Sequence, residues 1–117
     1  MRFLLTFLSK HKWLNLFLAL AWTIIIFFGC SMPGKDLPAI HIFDHFDKLV
    51  HFSFFLLFFI LWYSYKKHAY LFIILAFLYG FGLEFYQINF VPGRSFDVWD
   101  GVADTAGALV AWLWMKR

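Results

Sequence analysis

Apolar positions along this chain are gathered into long blocks, with the polar positions falling between them. Trp13 to Cys30 is apolar apart from Asn15 and Thr23, and Leu49 to Tyr65 is nearly continuous. Ala69 to about Phe90 is interrupted by Glu84, Gln87 and Asn89, and a fourth run extends from near Asp97 to Met115. At about 1.5 Å of rise per residue, each block covers most of a ~30 Å hydrocarbon core. The pattern predicts an all-α membrane protein with four transmembrane helices, over 13–30, 48–65, 69–90 and 97–115, forming a single domain over 1–117 folded as an antiparallel up-down bundle.

The breaks are informative in their own right. Ser31 to Phe46 contains Pro33-Gly34, Pro38, Lys35, Asp36 and Asp44, which predicts an ordered or partly re-entrant loop outside the membrane. Lys66-Lys67-His68 leaves room only for a tight turn, so the second and third helices are expected to be antiparallel neighbours, and Pro92-Gly93 turns the chain again. Before the first block, Arg2, Lys10, His11 and Lys12 surround a short apolar patch, Phe3 to Leu8. A basic start followed by one apolar run also describes a secretory signal, and Gly29-Cys30 imitates a lipoprotein cleavage site. Phe28 occupies the position two before Cys30 where processing needs a small residue, and further apolar runs follow, so a retained first helix is expected.

Composition agrees. The chain is 63% hydrophobic over 117 residues, with 18 Phe, 6 Trp and 5 Tyr, more apolar surface than a small water-soluble domain can hide. The Phe and Leu runs read as lipid-facing. The pI of about 9.1 does not point to nucleic acid, because the basic residues sit in short groups between apolar blocks. A single cysteine, Cys30, excludes an internal disulfide and a cysteine-based zinc site.

Charge sets the expected orientation. Arg2, Lys10, Lys12, Lys66, Lys67, Lys116 and Arg117 lie on one side of the predicted bundle, against Lys35, Lys48 and Arg94 on the other. The positive-inside rule then puts both termini of a multi-pass protein in the cytoplasm. Asp36, Asp44, Asp47, Glu84, Asp97, Asp100 and Asp104 all fall in the outer half.

Within that half, Glu84 lies roughly 9 Å and Asp104 roughly 10 Å below the outer helix ends by helix rise. Glu84 and Gln87 are three apart, and Asp47 and His51, like Asp100 and Asp104, are four apart, so each set shares a helix face. The candidate binding cluster is therefore Asp47, Lys48, His51, Glu84, Gln87, Arg94, Asp100 and Asp104, with Asp97 in an upper tier. Carboxylates outnumber cations in it, so either protons or a bound cation or cationic group must restore balance. A purely structural role, as interhelical polar contacts around Arg94, is the competing account. Such contacts average only about 0.6 kcal/mol, less than the roughly 2.5–3.5 kcal/mol insertion cost of one central acid. His41 and His45 read as solvated or interfacial. A divalent metal on His51, Glu84 and Asp104 is chemically permissible, but no short metal motif is present, and neither a metal nor a cofactor is assigned. No catalytic motif is found. Gly80, Gly82, Gly101, Ala103, Ala106, Gly107 and Ala108 read as sites of close helix packing.

These residues carry a resemblance. Ser31-x-Pro33 after the first helix, Asp47-Lys48-x-x-His51 opening the second, Glu84-x-x-Gln87 ending the third, and Arg94 six before Asp100 with Gly107 following, together resemble the VanZ-like family of small bacterial membrane proteins, named for an accessory teicoplanin (glycopeptide) resistance protein. The family usually has Asn where this chain has Asp104. The resemblance implies a cell-envelope protein, connected in some members with susceptibility to lipid-tailed glycopeptides. Three functions are expected to compete: a pocket for an envelope component such as a lipid headgroup or a cationic amphiphile, a membrane-embedded hydrolase or transferase on a lipid-linked substrate, and a small transporter. The third is disfavoured, because four helices leave little room for alternating access.

Overall fold

The computed structural model describes residues 2–31, 46–91 and 98–116. Five helices form among them: α1 (Arg2–Lys10), α2 (Lys12–Ser31), α3 (Phe46–Tyr65), α4 (Ala69–Phe90) and α5 (Val98–Met115). The last four match the four apolar blocks. α2, α3 and α4 contain three segments long and apolar enough to cross a membrane, Lys12–Cys30, Lys48–Tyr65 and Ala69–Phe90. α5 has 18 residues and carries Asp100 and Asp104 in its first half. The loops expected around Pro33, Pro38 and Pro92 lie outside the described residues.

The additional helix is α1. Nine residues rise only about 13 Å, too short to span, so this basic segment has to lie along the bundle or its surface. It buries Leu8 against Ala19 of α2 and Leu61 of α3 while exposing Phe3 and Phe7, and it ends where the His11 amide donates to the Phe7 and Leu8 carbonyls.

Contacts between side chains fix the helix directions. Lys66–His68 is the tight turn expected, closed by the Lys66 amide on the Trp62 carbonyl and the His68 amide on the Lys66 carbonyl, so α3 and α4 are antiparallel. Phe81 meets Gly101 and Tyr70 meets Trp112, which makes α4 and α5 antiparallel as well. α3 and α5 therefore run parallel, with Lys48 beside Asp100 and Phe52 beside Gly107. This pair is the most extensively packed in the fold. At Gly107 a Cβ would collide with the Phe52 carbonyl oxygen, so the absence of a side chain there sets how close the two backbones come. Gly82 was expected to do the same and does not: it is exposed, with nothing within 4 Å of where a Cβ would stand. Spacing in a helix gives the face a residue shares, not which neighbour that face meets.

The core is aromatic. Phe55, Phe59 and Ile60 of α3 pack fully buried against Ile26, Ala76, Ala108 and Ala111, which corrects the reading of all Phe runs as lipid-facing. α3 touches each of the other helices, so its faces cannot all meet lipid. The lipid-facing set is instead carried by α2, α4 and α5, where Phe17, Ile24, Phe28, Ile74, Leu78, Phe85 and Trp114 are exposed. Hydrogen bonds tie α2 in at mid-height: the Trp22 indole donates to the Phe54 carbonyl (2.9 Å), Trp62 to the Thr23 hydroxyl (3.0 Å), and the Tyr79 hydroxyl to the Thr23 carbonyl (2.6 Å).

The two ends differ in chemistry. At one, Lys12 and Lys66 approach the Tyr65 ring (5.5 and 6.0 Å), Lys67 the Tyr63 ring (4.8 Å), and Lys116 the Trp112 ring (4.8 Å). Aromatic rings with ammonium groups over them suit a headgroup interface. The other end holds the carboxylates.

Candidate functional site

α3, α4 and α5 each bring acidic or basic side chains to that second end because each carries polar residues near it on the face turned to the other two. His51 is one turn into α3 and mostly buried, with Lys48 one turn above it. Asp100 and Asp104 occupy successive turns of α5, and Glu84 sits in the last two turns of α4. Their burial is nearly complete: His51 and Asp100 are 8% exposed, Glu84 and Asp104 1%.

The connections are specific. His51 Nδ1 lies 3.0 Å from Asp104 Oδ1, while Nε2 lies 3.6 Å from Asp100 Oδ2. The other Asp100 oxygen, Oδ1, is 3.0 Å from Lys48 Nζ. Asp104 fits because α4 presents Gly80 opposite it: a Cβ at Gly80 would stand 2.6 Å from Asp104 Oδ2. His51 thus bridges the two aspartates of α5, hydrogen-bonded through Nδ1 to Asp104 and facing Asp100 with Nε2. His51, Glu84 and Asp100 each offer one ligand atom, all within 4.8 Å of one another.

The metal-type grouping thus differs from the one the sequence allowed. Asp104 holds the far side of the imidazole, and Asp100 takes the place expected for it beside Glu84. Gln87, on the Glu84 face of α4, donates from Nε2 to the Cys30 carbonyl at 2.7 Å and so closes the end of α2 against α4. The side chains of Asp47, Arg94 and Asp97 lie outside the described residues.

One polar residue that sequence reading passed over is Asn15. It is fully buried in α2, one turn before Ala19, and neither side-chain amide atom has a hydrogen-bond partner among the described residues. Its only sequence signal was being polar inside an apolar block.

Two apolar depressions mark the surface away from the cluster. A groove of about 340 Å³ runs between α2 and α3, lined by Trp22, Leu49, Val50, Ser53, Phe54 and Leu57. Leu49 and Val50 are turned about 100–200° around α3 from Lys48, so the groove occupies a different face of that helix from the charged cluster. A larger depression of about 590 Å³ lies at the opposite, basic end, around Lys67, His68 and Trp112.

The VanZ/LLP1 family model matches residues 7–116, nearly the whole chain. The chain belongs to the VanZ/LLP1 family. No curated protein and no solved structure matches it. For this VanZ/LLP1 protein, the match and three helices suited to crossing a membrane together support an integral membrane protein. The match takes in the α3, α4 and α5 residues of the cluster but not the first turn of α1.

Proposed function

We propose that this VanZ/LLP1 protein spans the bacterial inner membrane four times with both termini in the cytoplasm. In this reading the polar cluster faces the outside and binds the headgroup of an envelope amphiphile. The observation that carries the reading is the convergence of His51, Glu84, Asp100 and Asp104 from three helices at the end away from Lys12, Lys66, Lys67 and Lys116. Ionisable groups this costly to bury in a membrane mark a site rather than filler. The exposed apolar faces of α4 and α5 support a ligand with an apolar tail, since a headgroup at the cluster leaves the tail in hydrocarbon contact. Lipid-tailed glycopeptides, toward which the family resemblance points, are amphiphiles of this form, and altered teicoplanin susceptibility is one cellular expression of such binding.

Native mass spectrometry of gently extracted protein tests this. The wild type is expected to carry a co-purifying amphiphile that Glu84→Gln or Asp100→Asn loses while retaining helical content. Wild-type protein with no amphiphile bound at all would sink the reading.

The Asp104–His51 pair favours a second reading, a membrane-embedded hydrolase or transferase. A histidine held in one tautomer by a carboxylate is an oriented base. Turnover of a lipid-linked substrate by wild type, abolished in a folded His51→Gln variant, separates this from binding alone.

A further inference from the structure

The end of the molecule away from the carboxylates carries a second concentration of charge, of the opposite sign. There the α3–α4 turn and the last turns of α5 border the depression of about 590 Å³, lined by Lys67, His68, Ala69, Tyr70, Leu71 and Trp112. That volume lies within the ~300–1,000 Å³ of sites that hold small ligands. Its borders are of two kinds. Lys67 lines one side, and Lys116 stands over the Trp112 ring at 4.8 Å, so two ammonium groups reach the rim. Tyr70 and Leu71 form an apolar flank and are 72% and 48% exposed.

The rim is cationic without an acid to answer it. The described carboxylates Glu84, Asp100 and Asp104 are gathered at the far end. Lys67 and Lys116 each lie against a ring face, of Tyr63 and Trp112, which holds an ammonium at headgroup level and leaves N–H donors free for an anion. Below the rim the surface turns apolar toward the membrane. The Tyr70 and Trp112 rings meet at 5.9 Å, and one turn deeper Ile74 of α4 and Leu109 of α5 are exposed. Ile74 is four residues from Tyr70 and Leu109 three from Trp112, so each continues the face that borders the depression. A free phosphate would use the rim and leave this seam uncovered. A molecule with both a phosphate and acyl chains uses the whole surface.

We propose that the depression binds one anionic phospholipid of the adjoining leaflet, its phosphate held by Lys67 and Lys116 and an acyl chain laid along the α4–α5 seam past Ile74 and Leu109. The start of α4 favours the same ligand: it has no side-chain cap at His68 and no acidic residue in its first turn, so nothing negative competes there with the phosphate. The site stands apart from the carboxylate cluster, and its occupancy does not depend on what binds at that end.

The test uses the full chain in mild detergent, delipidated, titrated with phosphatidylglycerol or with phosphatidylcholine of the same acyl chains, and read by native mass spectrometry. One phosphatidylglycerol per chain is expected to bind about 10-fold or more tightly than phosphatidylcholine, as two lysines against an anionic lipid imply. Lys67→Gln combined with Lys116→Gln lowers that affinity about 10–30-fold. Lys12→Gln combined with Lys66→Gln removes the same charge from the same end, beside Tyr65, and leaves the affinity within about 3-fold. A large excess of inorganic phosphate does not displace the lipid. Wild type that shows no preference between the two lipids overturns the proposal without depending on any variant's folding. Equal losses in the two charge-matched variants would make the attraction a property of the whole basic end and overturn the site. Displacement by inorganic phosphate would assign the rim to a free anion instead of a lipid. Glu84→Gln, at the far end, is expected to keep the phosphatidylglycerol; a loss as large as that of the Lys67 and Lys116 variant would move the lipid to the carboxylates and overturn its place here.

Discussion

At the scale of single residues, the fold distinguishes polar groups that are answered from one that is not. Asp104 is only 1% exposed, yet it has Gly80 to make space for it and His51 to bond. The resemblance to a family that usually carries Asn at this position becomes intelligible from the geometry. Asp and Asn share an sp² oxygen at the same distance from the backbone, and that oxygen is what His51 Nδ1 requires. Asn15 has no such answer among the described residues. An unsatisfied buried amide costs about 1–3 kcal/mol, and Leu has the same branching without the polar atoms. Asn15→Leu is expected to raise the melting temperature of the detergent-solubilised protein; a fall would mean that the amide has a partner the fold depends on. The roles of Asp100 and Asp104 were not legible beforehand, because helix rise gives depth but not the direction a side chain takes around the axis. Their convergence with Glu84 and His51 was legible, since polar residues three or four apart near one end of apolar helices have few other places to go.

At the scale of elements, α3 and α5 are joined by close approach rather than by long side chains. Gly107→Ala puts a methyl against the Phe52 carbonyl, which is backbone and cannot rotate aside, so a destabilisation of about 1–3 kcal/mol or more is expected. Gly82→Ala meets open space and is expected to be neutral or to gain up to about 1 kcal/mol from helix propensity. Thermal melts of the two variants side by side check both directions. Equal effects would show that the parallel contact is not what holds these helices. The four long helices were legible because unbroken apolar blocks have few other structures open to them. α1 was not, since nine residues with lysine and arginine at the ends look like a flanking segment until Leu8 is seen buried between α2 and α3.

At the scale of the whole molecule, the segregation of charge predicts the topology. The lysines with their aromatic rings occupy one end and the carboxylates the other, so the positive-inside rule orients the molecule as a unit. In intact cells, a membrane-impermeant thiol reagent is expected to label cysteines introduced at Lys35 or Gly93 and to miss one at Lys67, with Cys30 replaced. The reverse pattern would turn the carboxylates toward the cytoplasm and end the case for an envelope ligand.

α5 brings two aspartates into the first half of an 18-residue helix and is not among the three helices apolar enough to cross unaided. Its lodging depends on His51 and Lys48, which are synthesised first, and on the notch at Gly80. The order of synthesis therefore matters: the last helix leaves the ribosome as a poor membrane segment and becomes a good one only when α3 and α4 are already in place to receive it. Fused alone to a glycosylation reporter, α5 is expected to insert inefficiently, and the same segment behind α3 and α4 to insert well. His51→Leu should lower that second value, so the residues of the candidate site also serve as the receiving end of the protein's own assembly.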